Sequence, residues 1–385
     1  MLFALPFIFV FAGLAITLKI LIGYNPEVSL KYRLTIAGIV VFSWFAPMIA
    51  RFLRRLHIFS TEANQMISQT CYVLFVTVFF LLCFLMIRDI FWIFGYKIAR
   101  KLKKATPSFD PMNPVTLKKA NIVTAAAALL LSGYAVYEGV KFPDIKETAI
   151  YTQKLNSAFK IVALTDMHIT PATPISRINK IVETVNGLKP DIIVLVGDIV
   201  DSKIYRLNEE TEALAKFKAK YGVYVTLGNH EFYHGSLRWE RKFKEMGFFP
   251  LANSGVLLGA TNVSLNGLPD PNLLRLNDIT MAGIRNNLRQ APSSSYRIFL
   301  SHSPRFIKRL NKDLIDLQIS GHTHGGQIFP FHFLVKRFND FVAGLYDVNG
   351  MKLYVSRGVS GWGPPMRLFA PSEIAVIDLI PEKKN

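Results

Sequence analysis

The sequence has little cysteine. Cys71 and Cys83 are its only two cysteines, and none follows residue 150. They are twelve residues apart in one apolar stretch, a rise of about 18 Å along a helix, which is too far for a disulfide between them. The region after residue 150 can therefore fold in either an oxidising or a reducing compartment.

Charge is absent from four long apolar stretches in the first 140 residues. Each stretch has 17 or 18 residues, which is near the length that crosses a hydrocarbon core of about 30 Å. A cleaved signal peptide would account for one such stretch but not for four. Buried helices of a soluble bundle would carry charges on an outer face, and these stretches have none. We therefore predict a membrane region with spans at Leu2–Leu18, Leu34–Ala50, Cys71–Ile87 and Ala120–Tyr137.

Lys and Arg in the connecting loops indicate an orientation. The first and third loops together carry eleven basic residues, and the second carries three. Placing the first and third loops in the cytoplasm puts the N-terminus and everything after Tyr137 on the outer side. The second loop favours the opposite orientation, through Arg51, Arg54 and Arg55.

The net charge of +18 is divided evenly between residues 1–150 and 151–385. In the first part the excess is typical of loops that contact anionic lipid. In the second part it favours phosphate-bearing substrates or a lipid headgroup surface, although a solvated basic face has the same composition. No nucleic-acid motif accompanies the charge, so we expect no nucleic-acid partner.

Short apolar strands alternate with helical patterns after residue 157. The segments FKIVALTD (159–166), DIIVLVGD (191–198) and GVYVTLGN (222–229) each end in a polar residue. The residues between them, Ile175–Leu188 and Thr211–Lys220, have helical spacing and length. This alternation predicts a buried parallel sheet, whose ligand crevice lies beyond the carboxyl ends of its strands. Further strands are predicted at Asn253–Leu258, Val263–Gly267, Ile279–Gly283, Tyr296–Pro304, in LIDLQISGHTH (314–324), and at 351–358 and 373–379.

Candidate ligands stand at five of these strand ends. Taken singly, each Asp or Asn is typical of a turn and each His of a structural residue. Together they combine carboxylate, imidazole and amide donors, which suit two divalent ions such as Mn, Fe, Zn or Co that share one carboxylate. The candidates, in order, are Asp166 and His168, Asp198, Asn229 and His230, His302, and His322 and His324.

The blocks TDMH, GDIVD, GNHE, SHSP and GHTHGGQ resemble, in this order, the signature blocks of the calcineurin-like metallophosphoesterases. They span Thr165–Gln327, and the flanking strands extend the resemblance to residues 158–380. The resemblance implies an α/β metallophosphoesterase domain of two packed mixed β-sheets flanked by helices. It would follow the multi-span α-helical membrane region. The predicted domains are residues 1–140 (four spans), 141–157 (a connector) and 158–380.

The resemblance also assigns roles to individual residues. It implies one metal on Asp166, His168, Asp198 and His324, and a second on Asp198, Asn229, His302 and His322. His230 would be a catalytic residue that contacts a phosphate oxygen or protonates the leaving group, and a hydroxide shared by the metals would be the nucleophile.

Other polar residues near these blocks have weaker assignments. Asp201 and Glu231 are predicted to orient the site. Arg357 and Arg367 would contact a substrate phosphate or form structural ion pairs, and these alternatives stay open. We interpret His234 as a loop residue in preference to a phosphate contact, and His332 and His57 as structural or surface residues.

The segment LYVSRGVSGWGPPMRLFAPSEIAVIDL is similar to the C-terminal part of a bacterial, membrane-associated subgroup of the same family. The resemblance implies a membrane-anchored phosphoesterase that acts on phosphodiesters, pyrophosphates or phosphomonoesters, including lipid-linked ones. With the four spans and the loop charges, we predict a bacterial inner membrane location with the catalytic domain on the periplasmic or extracellular side. The alternatives are a UDP-2,3-diacylglucosamine-type pyrophosphatase, which favours a cytoplasmic site, and an inactive scaffold or sensor.

Overall fold

A computed structural model describes residues 5–23, 29–56, 58–270 and 280–382. His57 and Ile279, which have predictions above, lie outside these residues. The chain forms two compact units, one of residues 1–137 with 363–366 and one of residues 138–362 with 367–385. The helices are Leu5–Leu18 (α1), Leu30–Arg55 (α2), Thr61–Lys101 (α3), Pro114–Val140 (α4), Ile175–Gly187 (α5), Asn208–Leu214 (α6), Asn229–His234 (α7), Ser236–Glu245 (α8), Met281–Leu288 (α9) and Phe331–Asn339 (α10). The strands are Asp144–Thr152 (β1), Phe159–Leu164 (β2), Ile192–Val196 (β3), Val223–Thr226 (β4), Phe249–Pro250 (β5), Ser254–Leu257 (β6), Val263–Leu268 (β7), Tyr296–Ser301 (β8), Leu317–Ser320 (β9), Gly344–Val348 (β10), Met351–Val355 (β11) and Glu373–Pro381 (β12).

The N-terminal unit is helical, as its apolar stretches predict. Among the described residues, α2, α3 and α4 lie in the three helices that are long and apolar enough to cross a membrane. The helix α3 has 41 residues, a length of about 60 Å, so it extends well beyond one hydrocarbon core. The described part of the first apolar stretch forms a shorter apolar helix. Its assignment as a fourth span stays a prediction.

The first sheet has the strand order β1-β12-β2-β3-β4-β5. The strands β2, β3, β4 and β5 are parallel, as the alternation of strands and helices predicts for the first three. The strand β12 is antiparallel to β2 and parallel to β1. The strand β1 lies inside the segment that we interpreted as a connector. Because most of its side chains are exposed, it lacks the apolar pattern of a buried strand.

The second sheet has the strand order β10-β11-β9-β8-β7-β6. Its four central strands are parallel, and the outer strands β6 and β10 are antiparallel to their neighbours. Both sheets are therefore mixed, as the resemblance implies.

Alternating side chains place the two sheets face to face. In β2, Ile161 and Ala163 belong to a core shared with Leu265 and Ile298 of the second sheet. The intervening Val162 and Leu164 belong to a second core, which is closed by helices α5, α6 and α8. A third core joins the outer face of the second sheet to α9. Because both faces of each central strand are buried, these strands are continuous apolar runs.

Three further elements differ from their predictions. In the described part of the strand predicted at Ile279–Gly283, residues 280–283 begin α9 instead, where the Thr280 hydroxyl accepts a hydrogen bond from the Gly283 N–H at 3.0 Å. This Thr cap satisfies a helix N-terminus, which a short apolar run does not reveal. The helix predicted at Thr211–Lys220 begins earlier, at Asn208. The short helix α7 follows β4 where only a polar turn is predicted.

Candidate metal centre

The loops after the central strands of both sheets are joined by backbone hydrogen bonds. The N–H groups of Asp166 and His168 donate to the carbonyls of Gly197 and Asp198 at 3.1 and 3.0 Å. In the second sheet, the Gly321 N–H donates to the His302 carbonyl at 3.1 Å. Each pair of loops is therefore held in a fixed register at the carboxyl ends of the strands, which is the edge where the sequence predicts the site.

Five of the candidate ligands adopt left-handed backbone conformations. Such values are rare for residues other than glycine and cost about 1–3 kcal/mol each when the surroundings impose them. Their concentration at one edge is typical of a functional site. The φ values are 52° for Asp166, 44° for His168, 53° for Asp198, 73° for His322 and 49° for His324.

Two glycines leave room for the carboxylates of the site. A Cβ atom on Gly228 would collide with Oδ1 of Asp198, and one on Gly321 would collide with Oδ2 of Asp166. Neither glycine has a positive φ, so backbone conformation does not require glycine at these positions. Glycine is required because a carboxylate lies too close for any side chain.

The first group of candidate ligands contains Asp166, His168 and His324. The Nε2 atoms of the two histidines lie 3.2 Å apart, and Nε2 of His324 lies 3.4 Å from Oδ1 of Asp166. Nδ1 of His324 donates to the Ser360 carbonyl at 3.2 Å. This bond fixes the tautomer and leaves the Nε2 lone pair facing the group.

The second group contains Asp198, His302 and His322. Nδ1 of His302 donates to the Val196 carbonyl at 2.8 Å, so Nε2 faces Oδ2 of Asp198 at 3.1 Å. Nδ1 of His322 lies 3.1 Å from Oδ1 of Asn229. The structure therefore brings together all seven residues that the sequence predicts as ligands.

The donor atoms of these groups fit divalent cations. Nε2 of His302 is buried and has no hydrogen-bond partner among the described residues, although a carboxylate lies beside it. Oδ2 of Asp198 also lies 4.0 Å from Nε2 of His168 and 3.9 Å from Nε2 of His230. A buried carboxylate surrounded by imidazole nitrogens from both groups is a suitable shared ligand. The mixture of oxygen and nitrogen donors suits Mn, Fe, Zn or Co.

The electrostatics of the first group favour neutral imidazoles. Burial and the neighbouring His324 lower the pKa of His168 to about 3. Burial and the charge of Arg367 lower the pKa of His324 to about 3. Both rings therefore keep a free lone pair at neutral pH, which a metal ligand requires.

His230 lies beside the two groups and is oriented by Asp201. Its Nδ1 atom lies 2.8 Å from Oδ1 of Asp201, and its main-chain N–H donates to Oδ1 of Asp198 at 2.8 Å. Burial disfavours the charged imidazole, but the bond to Asp201 and the nearby carboxylates outweigh it and raise the pKa of His230.

His234 also contacts Asp201, although we interpreted it as a loop residue. Its Nε2 atom lies 2.9 Å from the same oxygen, Oδ1, that His230 approaches. His230 and His234 lie on the same face of α7, because they are four residues apart. This spacing is the sequence signal that could have identified the contact.

Glu231 is fully buried and holds two loops of the site. Its two oxygens accept hydrogen bonds from the N–H groups of Asp198, Ile199, Val200 and Gly228, at distances of 2.7–3.0 Å. Burial raises the pKa of Glu231 to about 7. The carboxylate fixes the backbone on which Asp198 is mounted.

Arg357 and Arg367 have different surroundings. Arg357 donates to Glu373 at 2.8 Å, which is the structural ion pair of the two alternatives above. Arg367 is fully buried and donates to the carbonyls of His324 at 3.2 Å and Ala370 at 2.7 Å, as well as to those of Arg357 and Ser360. Its guanidinium therefore supports the loop that carries His324 and is not placed for a bidentate phosphate contact.

Three further residues near the site were not assigned roles from the sequence. Asp270 is buried after β7. Burial lowers the pKa of His322, whereas at His302 burial is outweighed by the charges of Asp198 and Asp166, with a smaller contribution from Asp270, and the pKa is raised well above its ordinary value. The exposed rings of Tyr233 and Trp362 approach His230 edge-on, with centroid distances of 5.4 and 6.3 Å. Exposed aromatic residues carry no specific sequence signal for such a position.

The comparisons with known proteins agree with this geometry. Residues 159–326 match the family model described as calcineurin-like phosphoesterase. An uncharacterized metallophosphoesterase of Helicobacter pylori is 38% identical over 69% of this chain and 72% of that protein. One from Campylobacter jejuni is 36% identical over 67% of this chain and 70% of that protein. A zebrafish (Danio rerio) protein named transmembrane protein with metallophosphoesterase domain is 32% identical over 68% of this chain and 62% of its own length. The chain therefore belongs to the calcineurin-like metallophosphoesterase family.

Proposed function

We propose that this protein is a membrane-anchored phosphoesterase that uses two divalent cations to hydrolyse phosphodiester, pyrophosphate or phosphomonoester bonds. The observation that carries the proposal is the convergence of two carboxylates, four imidazoles and one amide oxygen around Asp198. Every predicted ligand position is filled, which argues against an inactive scaffold.

In this proposal Asp166, His168, Asp198 and His324 would hold one cation. Asp198, Asn229, His302 and His322 would hold the other, so Asp198 would be the shared ligand. The cations, when bound, would supply an activated water molecule and neutralise the charge that develops on the phosphoryl group. The backbone bonds to Glu231 and the small size of Gly228 hold the Asp198 carboxylate between the two groups of candidate ligands.

His230 has the role of a proton donor to the substrate. Its bond to Asp201 occupies Nδ1, so Nε2 is the atom that faces the site. The raised pKa of His230 favours the protonated ring, which can donate to a phosphate oxygen or to the leaving group. His234, on the same oxygen of Asp201, helps to hold this carboxylate in place.

In this proposal the activity resides at a bacterial cell membrane, with the catalytic unit on the periplasmic or extracellular side. The helices that are long and apolar enough to cross a membrane support a membrane location. The charges of the first and third loops support this orientation. A substrate that resides in the membrane, such as a lipid-linked phosphate ester, would then be within reach of an anchored enzyme.

The test uses the purified full-length protein in detergent, stripped of metal and then reloaded with Mn²⁺. Turnover is measured on aryl phosphomonoesters, aryl phosphodiesters, a UDP-linked diacylglucosamine and phospholipids. The inactive controls are Asp198→Ala and His230→Ala, and Asp347→Ala is the matched control, because this exposed carboxylate pairs only with Lys352 and Gly350 at the surface.

We expect metal-dependent turnover that Asp347→Ala retains. His230→Ala should lower the turnover rate about a hundredfold or more, as is typical for the removal of a general acid. Asp198→Ala should lose turnover together with bound metal, measured by elemental analysis. No turnover on any substrate with metal bound would contradict the proposal.

A further inference from the structure

A group of exposed apolar side chains follows the loop that carries His324. We call it the phenylalanine surface and define it as Phe329, Phe333, Leu334, Phe338 and Phe369. Phe369 is 74% exposed, and Phe333 is 64% exposed. The ring of Phe329 lies 5.8 Å from Phe369 and 6.1 Å from Phe333. Contiguous exposed apolar groups on a soluble domain mark an interaction site.

The helix α10 supplies most of this surface. None of its nine residues, all of which lie in the described range 280–382, is buried. Its exposed residues are Phe333, Leu334, Lys336, Arg337 and Phe338. Leu334 and Phe338 are four residues apart, as are Phe333 and Arg337, so aromatic, aliphatic and basic groups share the exposed side of the helix. This combination is typical of helices that lie in a membrane interface.

The backbone conformation of Phe369 indicates that the fold imposes the exposed position of its ring. This residue has a φ of 61°, which is an outlier for a bulky side chain. The hydrophobic effect favours burial of such a ring, so the fold holds Phe369 against both its backbone and its side-chain preference. A ligand that covers the ring would remove the cost of exposing it to water.

The phenylalanine surface is fixed to the candidate site. The Phe329 N–H donates to the Leu368 carbonyl at 3.2 Å, and the Leu368 N–H donates to the Gln327 carbonyl at 2.9 Å. A Cβ atom on Gly326 would collide with His332 at the start of α10. The loop of His324 and the phenylalanine surface therefore move together.

The charge around α10 is positive. Lys336 and Arg337 are exposed on the helix. Arg305 donates to the Phe338 carbonyl at 2.9 Å, and both Arg305 and Lys308 pair with Asp340, at 3.1 and 2.9 Å. These four basic side chains outnumber the single carboxylate, and the excess positive charge complements an anionic lipid headgroup layer.

We infer that the phenylalanine surface docks on the bilayer to which the same chain is anchored, with its rings among the headgroups and its basic side chains on anionic lipid phosphates. The helix is short, so alone it would bind a membrane weakly. The anchoring helices keep it at high effective concentration near the bilayer, and weak contacts then suffice. The inference deepens the proposed function, because a site fixed beside the headgroups selects phosphate esters that reside in the membrane.

The test places a fluorophore on the surface of the full-length protein in vesicles of phosphatidylethanolamine and phosphatidylglycerol. Cys71 and Cys83 are replaced by Ala, and Leu334→Cys is labelled with an environment-sensitive maleimide. The matched control is Glu183→Cys, on an exposed position of α5. Two quenchers are compared: aqueous iodide, and a nitroxide attached to the lipid near the headgroup.

We expect the label at position 334 to be quenched by the lipid nitroxide and to be about fivefold less sensitive to iodide than the label at 183. Equal iodide quenching at both positions without lipid quenching would overturn the inference. Protection from both quenchers would also overturn it, since a protein and not lipid would then cover the surface. The experiment needs no turnover, so its result is independent of whether the proposed hydrolysis occurs.

Discussion

The candidate metal centre and the phenylalanine surface reverse the usual distribution of polar and apolar side chains. At the metal centre Asp166 and His302 are fully buried, whereas on the surface Phe369 is 74% exposed. Buried charge and exposed aromatic rings both cost free energy in an isolated chain. Each reversal therefore indicates a ligand that lowers this cost: cations for the buried polar side chains, and a bilayer for the exposed aromatic rings.

The two regions differ in how they are held. The metal centre depends on a dense network in which single oxygens accept two or more hydrogen bonds. The phenylalanine surface depends on a few ring contacts and on the pairing of two short segments. We therefore expect substitutions at the metal centre to affect folding and all substrates, and substitutions on the surface to affect only substrates in a membrane.

The largest effect, a loss of folding stability, is expected for Glu231→Leu. This change leaves four buried N–H groups without an acceptor, at a cost of about 1–3 kcal/mol for each. We expect little folded protein, measured as the yield of monodisperse protein in detergent and its Tm. Glu231→Gln keeps one acceptor oxygen and should be intermediate. An unchanged Tm in Glu231→Leu, matching the exposed control Glu183→Leu, would show that Glu231 does not hold the site.

A smaller effect, mainly on turnover, is expected for Gly228→Ala. The added Cβ would collide with Oδ1 of Asp198 and would lie 2.5 Å from its main-chain N, so this residue must shift. A misplacement of about 1 Å at a reacting centre costs about a hundredfold in rate. The loss of kcat/KM should be equal for soluble substrates and for substrates in a membrane. Gly187→Ala is the matched control, because a Cβ at that position meets no atom within 4 Å. Similar kcat/KM values for both variants would contradict the geometry.

The double variant Phe333→Ser, Phe338→Ser separates the two regions. We expect about a tenfold loss of kcat/KM on a phosphate ester in vesicles, because two apolar contacts with the membrane are removed. Turnover of a soluble aryl ester in the same vesicles should stay unchanged. Equal losses on both substrates would mean that the surface acts on the site and not on the membrane.

The smallest effect is expected for His234→Ala, about threefold in kcat, which corresponds to the lower range of one hydrogen bond. If His234 acts only through Asp201, the loss disappears in an Asp201→Asn background. Additive losses would show that His234 has an independent contact with the substrate.

The parallel strands and the convergence of the candidate ligands at their ends could be predicted from the sequence, because buried strands are continuous apolar runs and the polar residues follow them directly. The strand β1 could not, because an exposed edge strand has no apolar pattern. The start of α9 depends on a single capping hydroxyl in a short apolar run. The position of Arg367 depends in part on the His324 carbonyl, which is 43 residues away in the sequence, so no local pattern reveals it.

The place of β12 between β1 and β2 has a consequence for biosynthesis. The ribosome synthesises His324, the last predicted ligand, well before residues 373–381. Until those residues emerge, β2 lacks its neighbour and the loop of Asp166 lacks a completed sheet beneath it. The nascent chain therefore carries all the candidate ligands before the sheet beneath them is complete, and we expect the candidate metal centre to reach its final geometry only after residues 373–381 have emerged.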